Sequence, residues 1–313
     1  MSNDEIKDST ISKLRYLKGV SSLKKIINEW KPDIVHAHYA SSYGLIGALL
    51  NFHPFVLSVW GTDVFEFPKK NFLSKLILKF VFQKADKLLS TSKCMADEVS
   101  KYTTKKINII PFGVDVELFK KSGRRSLFDK NDIVIGTVKK LEKVYCIDKL
   151  IKAFSILISQ HPELSLKLLI VGSGTMEKEL KSLAKKMSLE KDIYFTGYIP
   201  NELTINYYSE MDAAVFLSTN ESFGVSILEA NACEVPVVAT NVGGFKEIII
   251  DQITGILVEP DDPAAAAIAI ERIITNKELC LSLTNAARER ICEKYEQSKS
   301  IARLISIYQE LAA

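Results

Sequence analysis

The sequence predicts an α/β protein built from two doubly wound, Rossmann-like domains that face each other across a cleft. The chain has 313 residues, which exceeds the size at which a single hydrophobic core usually stops growing. Short runs rich in Val and Ile alternate with helical patterns, as in parallel sheets joined by crossover helices. Residues 111–115 interrupt this alternation, and a charged stretch at 120–132 follows. Two such domains would place a ligand cleft between the carboxyl ends of their sheets.

The first series of elements is short. A basic helix at 14–30 opens it, and further helices are predicted at 42–50 and 71–84. Its strands are buried apolar runs at 34–37, 55–59, 87–91 and 108–110. The series begins with a polar segment instead of a strand and a glycine-rich turn, so we expect the first domain to be incomplete.

The second series is complete. Its strands are predicted at 133–138, 167–171, 193–196, 213–217, 236–239 and 255–258. Helices at 263–275, 277–293 and about 296–311 close the chain. We therefore expect a first domain at 1–115, a linker at 116–130 and a second domain at 131–295. The last helix, in 296–313, is expected to pack back on the first domain.

The composition favours a cytoplasmic enzyme without a structural metal. Apolar residues make up 47% of the chain and no apolar run approaches the roughly 18 residues of a membrane-spanning helix. The five cysteines form no CxxC pair and the four histidines lack metal-ligand spacing. Residues 1–115 hold 17 Lys/Arg and 11 Asp/Glu. This excess indicates an anionic partner, such as a membrane surface or a phosphorylated acceptor, or simply scattered surface charge. No nucleic-acid partner is predicted.

The most informative segment spans residues 220–230. It follows a strand, and a helix is predicted to start at about Phe223. Free backbone N–H groups and the positive end of the helix dipole therefore favour an anion such as a diphosphate there. Glu221 lies at the mouth of this helix, and Glu229 about two turns in, at a depth suited to ribose hydroxyls. By themselves, two carboxylates separated by seven residues are unremarkable, and a helix cap and a solvated helix face would be their more common explanation.

With the Pro-Val-Val-Ala-Thr run at 236–240 and the glycine pair at 243–244, this segment closely resembles the glycosyltransferase family 4 group of GT-B enzymes. That group carries two glutamates separated by seven residues, followed by such runs. The resemblance extends from about residue 30 to the end of the chain, through 35–39, 111–115, 171–174 and 254–258. It implies the GT-B fold and a retaining, metal-independent transfer from a nucleotide sugar, which is a substrate and not a cofactor.

The resemblance also implies a donor site. Glu221 would hold hydroxyls of the donor sugar, and Glu229 would bind the ribose. A Gly-x-Gly turn permits close backbone approach to a nucleotide, although such glycines often only turn a strand into a helix. The other implied donor-binding positions are Gly172, Gly174, Gly197, Phe223, Gly224 and Val225.

A metal-independent transferase needs cations that neutralise the leaving diphosphate, because fixed charges at that point are usually the largest catalytic contribution. The family supplies an Arg or Lys and, about five residues later, a Lys. Lys139 or Lys140 can fill the first role here; the alternative is that both are solvated loop residues. The second position holds Val144 or Tyr145, with Lys143 adjacent.

Two further positions depart from the family. Cys146 and Glu234 stand where the family usually has Gly. Glu234 either strains a turn or brings a carboxylate near the phosphates. These departures weaken the prediction of full activity, especially if neither Lys143 nor Lys149 reaches the diphosphate, and they leave the fold prediction unchanged.

In the first domain, His38 matches the family's histidine that faces the donor phosphate and the acceptor, whereas His36 alternates to the other face and is expected in the core. Residues 60–63 resemble the family's H-G-x-D turn with Trp60 in place of His. Asp63 either contacts the acceptor or caps the following turn.

The helix in 69–84 has an apolar face and a lysine face. It either lies on an anionic membrane, which would suit a lipid-linked acceptor, or packs its apolar face on the sheet. The leading functional hypothesis is a glycosyltransferase acting on a glycan, lipid-linked or small-molecule acceptor in surface polysaccharide synthesis. The alternatives are a degenerate or truncated nucleotide-sugar-binding protein and a nucleotide-sugar epimerase. No strand–GxGxxG–helix of a dehydrogenase is present.

Overall fold

The computed structural model describes residues 19–123 and 127–313. Two compact units divide the chain. One runs up to Pro111 and includes Ser300–Ala313, and the other spans Phe112–Lys299. Residues 14–18 of the predicted basic helix, and the polar segment before them, lie outside the described residues.

The first unit contains a parallel four-stranded sheet in the order β1-β2-β3-β4. The strands are β1 (Val35–His38), β2 (Phe55–Ser58), β3 (Lys87–Ser90) and β4 (Ile107–Ile109). The helices before and between them are α1 (Val20–Trp30), α2 (Tyr43–Leu50), α3 (Thr62–Phe65), α4 (Phe72–Lys84) and α5 (Lys93–Ser100). This element order confirms an α/β unit of the expected class.

Both faces of this sheet are covered. Leu57 and Leu88 pack in the main core with side chains of α2, α4 and α5. Their neighbours Val56 and Leu89 point the other way and pack against Ile307 of the last helix, α13 (Gln297–Ala312). Because successive side chains of a strand alternate between faces, these apolar runs require a layer on each side of the sheet.

The second unit contains a parallel six-stranded sheet in the order β10-β9-β8-β5-β6-β7. Its strands are β5 (Ile133–Val138), β6 (Leu166–Val171), β7 (Ile193–Gly197), β8 (Ala213–Phe216), β9 (Val237–Thr240) and β10 (Ile256–Val258). The helices are α6 (Ile147–Gln160), α7 (Glu177–Lys186), α8 (Ile205–Tyr208), α9 (Val225–Ala232), α10 (Phe245–Ile248), α11 (Pro263–Thr275) and α12 (Lys277–Lys294). All six predicted strands are present, with ends that differ by a residue or so.

The strand order creates a switch point in this sheet. From β5 the chain proceeds outward through β6 and β7, then returns to the other side of β5 with β8 and continues to β9 and β10. β5 therefore pairs with both β6 and β8. The crossover helices leave in opposite directions at such a point, which opens a crevice at the carboxyl ends of the strands. Among the described residues, no helix is both long and apolar enough to span a bilayer.

Candidate functional site

A cavity of about 460 Å³ lies at this switch point of the second unit. The segments directly after β5, β6 and β7 and the first turns of α9 form much of its wall, and Tyr145, Asn201 and Thr204 also contribute. Five of the predicted site residues contribute to the wall: Lys139, Lys140, Gly172, Val225 and Glu229. The fold therefore brings predicted residues between positions 139 and 229 together in one concave site.

Lys139 and Glu221 form a nearly buried ion pair beside this cavity. Lys139 follows β5 and Glu221 lies in the loop after β8, which is the neighbouring strand. The Lys139 Nζ lies 2.6 Å from Glu221 Oε2, and the side chains are only 10% and 12% exposed. The ammonium group also lies 4.8 Å from the centre of the Tyr145 ring. Since an ammonium group has three N–H donors, Lys139 can hold this carboxylate and still donate to an anion in the cavity.

The glycine pair 243–244 supports the loop that carries Glu221. A Cβ on Gly243 would lie 1.9 Å from the carbonyl oxygen of Glu221, and Gly243 has a positive φ of 40°. A Cβ on Gly244 would lie 2.4 Å from the Cα of Phe223. The Gly244 N–H donates to the Glu221 carbonyl oxygen at 2.9 Å. The two glycines are thus needed because backbone packs directly on backbone here.

Helix α9 begins at Val225, two residues later than predicted. Gly224 precedes it with φ 121°, and Phe223 is a core residue that is 3% exposed. Glu229 therefore lies just over one turn into the helix, not two. Val225 and Ser226, in the first turn, border the cavity, and their position at the positive end of the helix dipole suits an anion.

Glu229 is a buried carboxylate at the inner wall of the cavity, with 4% of its surface exposed. It accepts hydrogen bonds from Asn201 Nδ2 at 2.8 Å and from Tyr208 Oη at 2.9 Å. Burial raises the pKa of Glu229, and the hydrogen bonds from Asn201 and Tyr208 partly oppose that shift. The sequence prediction missed both partners. Asn201 lies four residues after the implied donor-binding residue Gly197, but no pattern pointed to Tyr208.

The glycines of the turn after β6, where Gly172 borders the cavity, also have a packing role. A Cβ on Gly172, whose φ is 135°, would lie 2.0 Å from the carbonyl oxygen of Lys139. A Cβ on Gly174 would lie 2.4 Å from the carbonyl oxygen of Leu141. These glycines therefore let two loops pack closely and hold the lysine segment against β6. Gly197 has φ 72° with open space around it, and Tyr198 beside it is 76% exposed at the cavity wall.

The second cation expected in the lysine segment is not at the cavity wall. Lys143 lies in a short 3₁₀ turn, Lys143–Tyr145, and is exposed. Lys149 Nζ pairs with Asp261 Oδ1 at 2.7 Å. Among the described residues, the lysines that line the cavity are Lys139 and Lys140.

The two departures from the family's glycines both have left-handed backbone. Cys146 has φ 51° and Glu234 has φ 57°. Glu234 Oε2 pairs with Lys121 Nζ at 3.3 Å, and neither residue borders the cavity. The suggestion that Glu234 brings a carboxylate near bound phosphates is therefore wrong, and the alternative of a strained turn agrees with the geometry.

In the first unit, His38 is exposed at the carboxyl end of β1, and its ring centre lies 5.5 Å from that of Trp60. Its ring is partly covered, and this partial burial lowers the pKa of His38, which favours the neutral imidazole with one acceptor nitrogen near pH 7. The prediction that His36 lies on the other face from His38 is wrong. Side chains two positions apart in a strand share a face, and the centres of the two imidazole rings lie 4.1 Å apart. His36 is hydrogen-bonded to Ser58 Oγ at 2.8 Å and to Tyr308 Oη at 2.5 Å.

Asp63 requires a correction. Its side chain is fully buried, with 0% of its surface exposed. One carboxylate oxygen accepts from the Ala40 N–H at 2.7 Å, and the other from the N–H groups of Trp60 and Gly61 at 3.1 and 2.8 Å. Direct contact with an acceptor, one of the two roles predicted for Asp63, does not fit this burial. Asp63 instead joins the loops after β1 and β2 and so positions the surroundings of His38.

Comparisons with known proteins agree with this geometry. The profile of the family described as "Glycosyl transferases group 1" matches residues 119–290, and that of "Glycosyl transferase 4-like" matches residues 3–92. N-acetyl-alpha-D-glucosaminyl L-malate synthase of Bacillus anthracis is 25% identical over 93% of this chain and 78% of its own length.

Two solved structures share the fold. Sucrose-phosphate synthase from Thermosynechococcus elongatus superposes with a TM-score of 0.86 and 23% identity, over 99% of this chain and 80% of that one. Anabaena Alr3699/HepE, solved with UDP and glucose, superposes with a TM-score of 0.82 and 20% identity, over 93% of this chain and 81% of that one. The chain therefore has the GT-B fold and belongs to the glycosyl transferases group 1 family.

Proposed function

We propose that this glycosyltransferase moves a sugar from a nucleoside-diphosphate sugar to a glycan, lipid-linked or small-molecule acceptor, with retention of configuration and without a metal ion. A role in surface polysaccharide synthesis at the cytoplasmic side of a membrane fits this chemistry. The observation that carries the proposal is the cavity at the sheet's switch point. Lys139 and Glu229 line it, and Lys139 pairs with Glu221. Membership of the transferase family supports the same class of reaction.

Each of these groups would bind the part of the donor that suits its chemistry. The buried carboxylate of Glu229 accepts hydrogen bonds from the ribose hydroxyls, since a carboxylate is a strong acceptor in a low-dielectric site. The diphosphate lies near the start of α9 and near Lys139 and Lys140, where dipole and lysines both favour negative charge. Glu221 holds hydroxyls of the transferred sugar. The exposed ring of Tyr198 lies where the base would stack.

Transfer breaks the bond between the anomeric carbon and the β-phosphate oxygen and forms a bond from the acceptor oxygen to the same carbon. Retention requires the acceptor to attack from the face that the diphosphate leaves. The leaving phosphate then takes the acceptor proton, and Lys139 and Lys140 stabilise the charge that develops on it. His38 is the acceptor-side group in this scheme.

A second function, donor binding without efficient transfer, is favoured by one observation. Lys143 lies away from the cavity wall and Lys149 is paired with Asp261, so a second family cation is not supplied from this segment. Such a protein would bind the nucleotide sugar and turn it over slowly or not at all.

The test is transfer from a panel of UDP-, GDP- and ADP-sugars to saccharide and lipid-linked acceptors, in buffer containing EDTA, with the anomeric configuration read by NMR. We expect one donor to react with retention and Glu221→Ala to abolish transfer. Glu202→Ala is the control, because Glu202 is an exposed glutamate beside Asn201 and does not line the cavity. Unchanged transfer by Glu221→Ala would refute the proposal, whereas binding without transfer by the unmodified chain would favour the second function.

A further inference from the structure

Helix α4 (Phe72–Lys84) has apolar residues on two opposite faces. Its inward face consists of Ser74, Leu78, Val81 and Phe82, which are buried. Phe72, Leu73 and Leu76 are 74%, 51% and 46% exposed. At 100° per residue, these three side chains point away from the inward face. Packing on the sheet therefore explains the buried apolar side chains of the helix. It does not explain the exposed apolar side chains in its first half.

Lysines flank this exposed apolar face along one side and at the start of the helix. Lys75 and Lys79, one turn after Phe72 and Leu76, are exposed. Lys69 and Lys70, in and just after the 3₁₀ turn Phe67–Lys69 that precedes the helix, are exposed as well. We name Phe72, Leu73, Leu76 and these four lysines the α4 surface. A cluster of large exposed apolar side chains bordered by charged residues is typical of an interaction site.

We propose that the α4 surface docks the protein on an anionic lipid bilayer. Phe72, Leu73 and Leu76 would enter the boundary between headgroups and acyl chains, while the lysines bind anionic headgroups and their stems lie along the apolar surface. The charge decides in favour of a bilayer over a second copy of this chain. A self-complementary contact through this surface would bring like-charged lysines together, whereas an anionic bilayer attracts all of them.

The orientation of the helix fits this partner. Buried Leu78, Val81 and Phe82 anchor α4 to the core of the first unit, so the exposed apolar face is presented on a rigid element and requires no unfolding. The inference does not depend on the proposed reaction, although it would place the enzyme beside a lipid-linked acceptor.

The test is co-sedimentation of the full chain with vesicles of phosphatidylcholine alone or mixed with phosphatidylglycerol, at low and high salt. We expect binding only to the anionic vesicles and weaker binding at high salt. The triple variant Phe72→Ser, Leu73→Ser, Leu76→Ser should bind at least about tenfold more weakly, and so should Lys75→Glu with Lys79→Glu.

The matched control is Ile268→Ser with Leu281→Ser, which removes two apolar side chains that are 55% and 49% exposed on helices of the second unit. It should bind vesicles like the unmodified chain. Circular dichroism verifies that each variant is folded. The proposal fails if the unmodified chain does not bind anionic vesicles at low salt, or if the triple variant binds them as strongly as the unmodified chain does. It also fails if sedimentation equilibrium shows a dimer that the triple variant abolishes, since the surface would then belong to a second copy.

Discussion

Replacing Glu234 by glycine should make the protein more stable. Glu234 has φ 57°, and the left-handed region costs a residue with a Cβ roughly 1–2 kcal/mol. Glycine removes this cost but adds about 0.4–1 kcal/mol of chain entropy to the unfolded state. The ion pair with Lys121 is 3.3 Å long between side chains 66% and 34% exposed, so it contributes at most a few tenths of a kcal/mol, roughly. The net gain expected for Glu234→Gly is about 0.5 kcal/mol.

The comparison with alanine isolates the backbone from the charge. Glu234→Ala also loses the ion pair but retains the left-handed backbone, so glycine should exceed alanine by about 0.5–1 kcal/mol at this position. At Glu190, an exposed loop glutamate of the same unit that does not have a positive φ, the order should reverse. Alanine should there be more stable than glycine by about 0.4–1 kcal/mol.

The assay is unfolding of the four variants followed by circular dichroism. Tryptophan fluorescence is unsuitable because both tryptophans, Trp30 and Trp60, lie in the first unit. For a unit of this size, 1 kcal/mol corresponds to a shift in Tm of about 2–4 °C. The reasoning would be refuted if alanine were as stable as glycine at 234, or if the order of the two residues were the same at both positions.

Three further predictions concern the candidate site. Lys139→Met should lower the free energy of unfolding by about 3 kcal/mol, because it leaves the Glu221 carboxylate, which is 12% exposed, without its cation. Adding Glu221→Gln should restore part of this loss in urea unfolding. Gly243→Ala should reduce nucleotide binding, since its Cβ would lie 1.9 Å from the Glu221 carbonyl oxygen. Gly123→Ala should not, because its Cβ would meet no described residue within 4 Å. Nucleotide affinity should also decrease on acidification, because Glu229 loses its acceptor role when protonated and burial raises its pKa.

The direction of the predicted change in nucleotide affinity with pH follows from the pKa of Glu229. A raised pKa means that Glu229 takes up a proton at a higher pH than an ordinary glutamate, so the loss of affinity begins earlier in an acid titration. Glu229→Gln, with an amide that does not titrate, should flatten this part of the profile. An equally steep acid limb in the Glu229→Gln variant would contradict the assignment.

Much of the fold was accessible from the sequence because it rests on local patterns. The apolar runs that form β5 and β6 are buried on both faces. In the sequence, such strands are nearly continuous runs of Val, Ile and Leu. Helix ends were harder to predict. The start of α9 moved to Val225 because Gly224 takes φ 121°, a backbone conformation that the residue type permits but does not impose.

The candidate site was predicted less completely because its contacts are tertiary. Lys139 and Glu221 are 82 residues apart and meet only because β5 and β8 are neighbours in the sheet. No pattern along the chain could reveal that Tyr208 reaches Glu229 or that Asp63 is fully buried. The roles of Gly243 and Gly244 likewise depend on which backbone lies against them.

The most direct test of a donor site at the switch point of the second unit is calorimetric titration of the full chain with UDP, GDP and ADP in buffer containing EDTA. We expect one nucleotide to bind with micromolar affinity. Glu229→Ala should abolish this binding, because it removes the buried acceptor at the cavity wall, while Glu202→Ala should leave it unchanged. If none of the nucleotides binds to the folded chain, or if Glu229→Ala binds as tightly as the unmodified protein, the cavity is not the donor site.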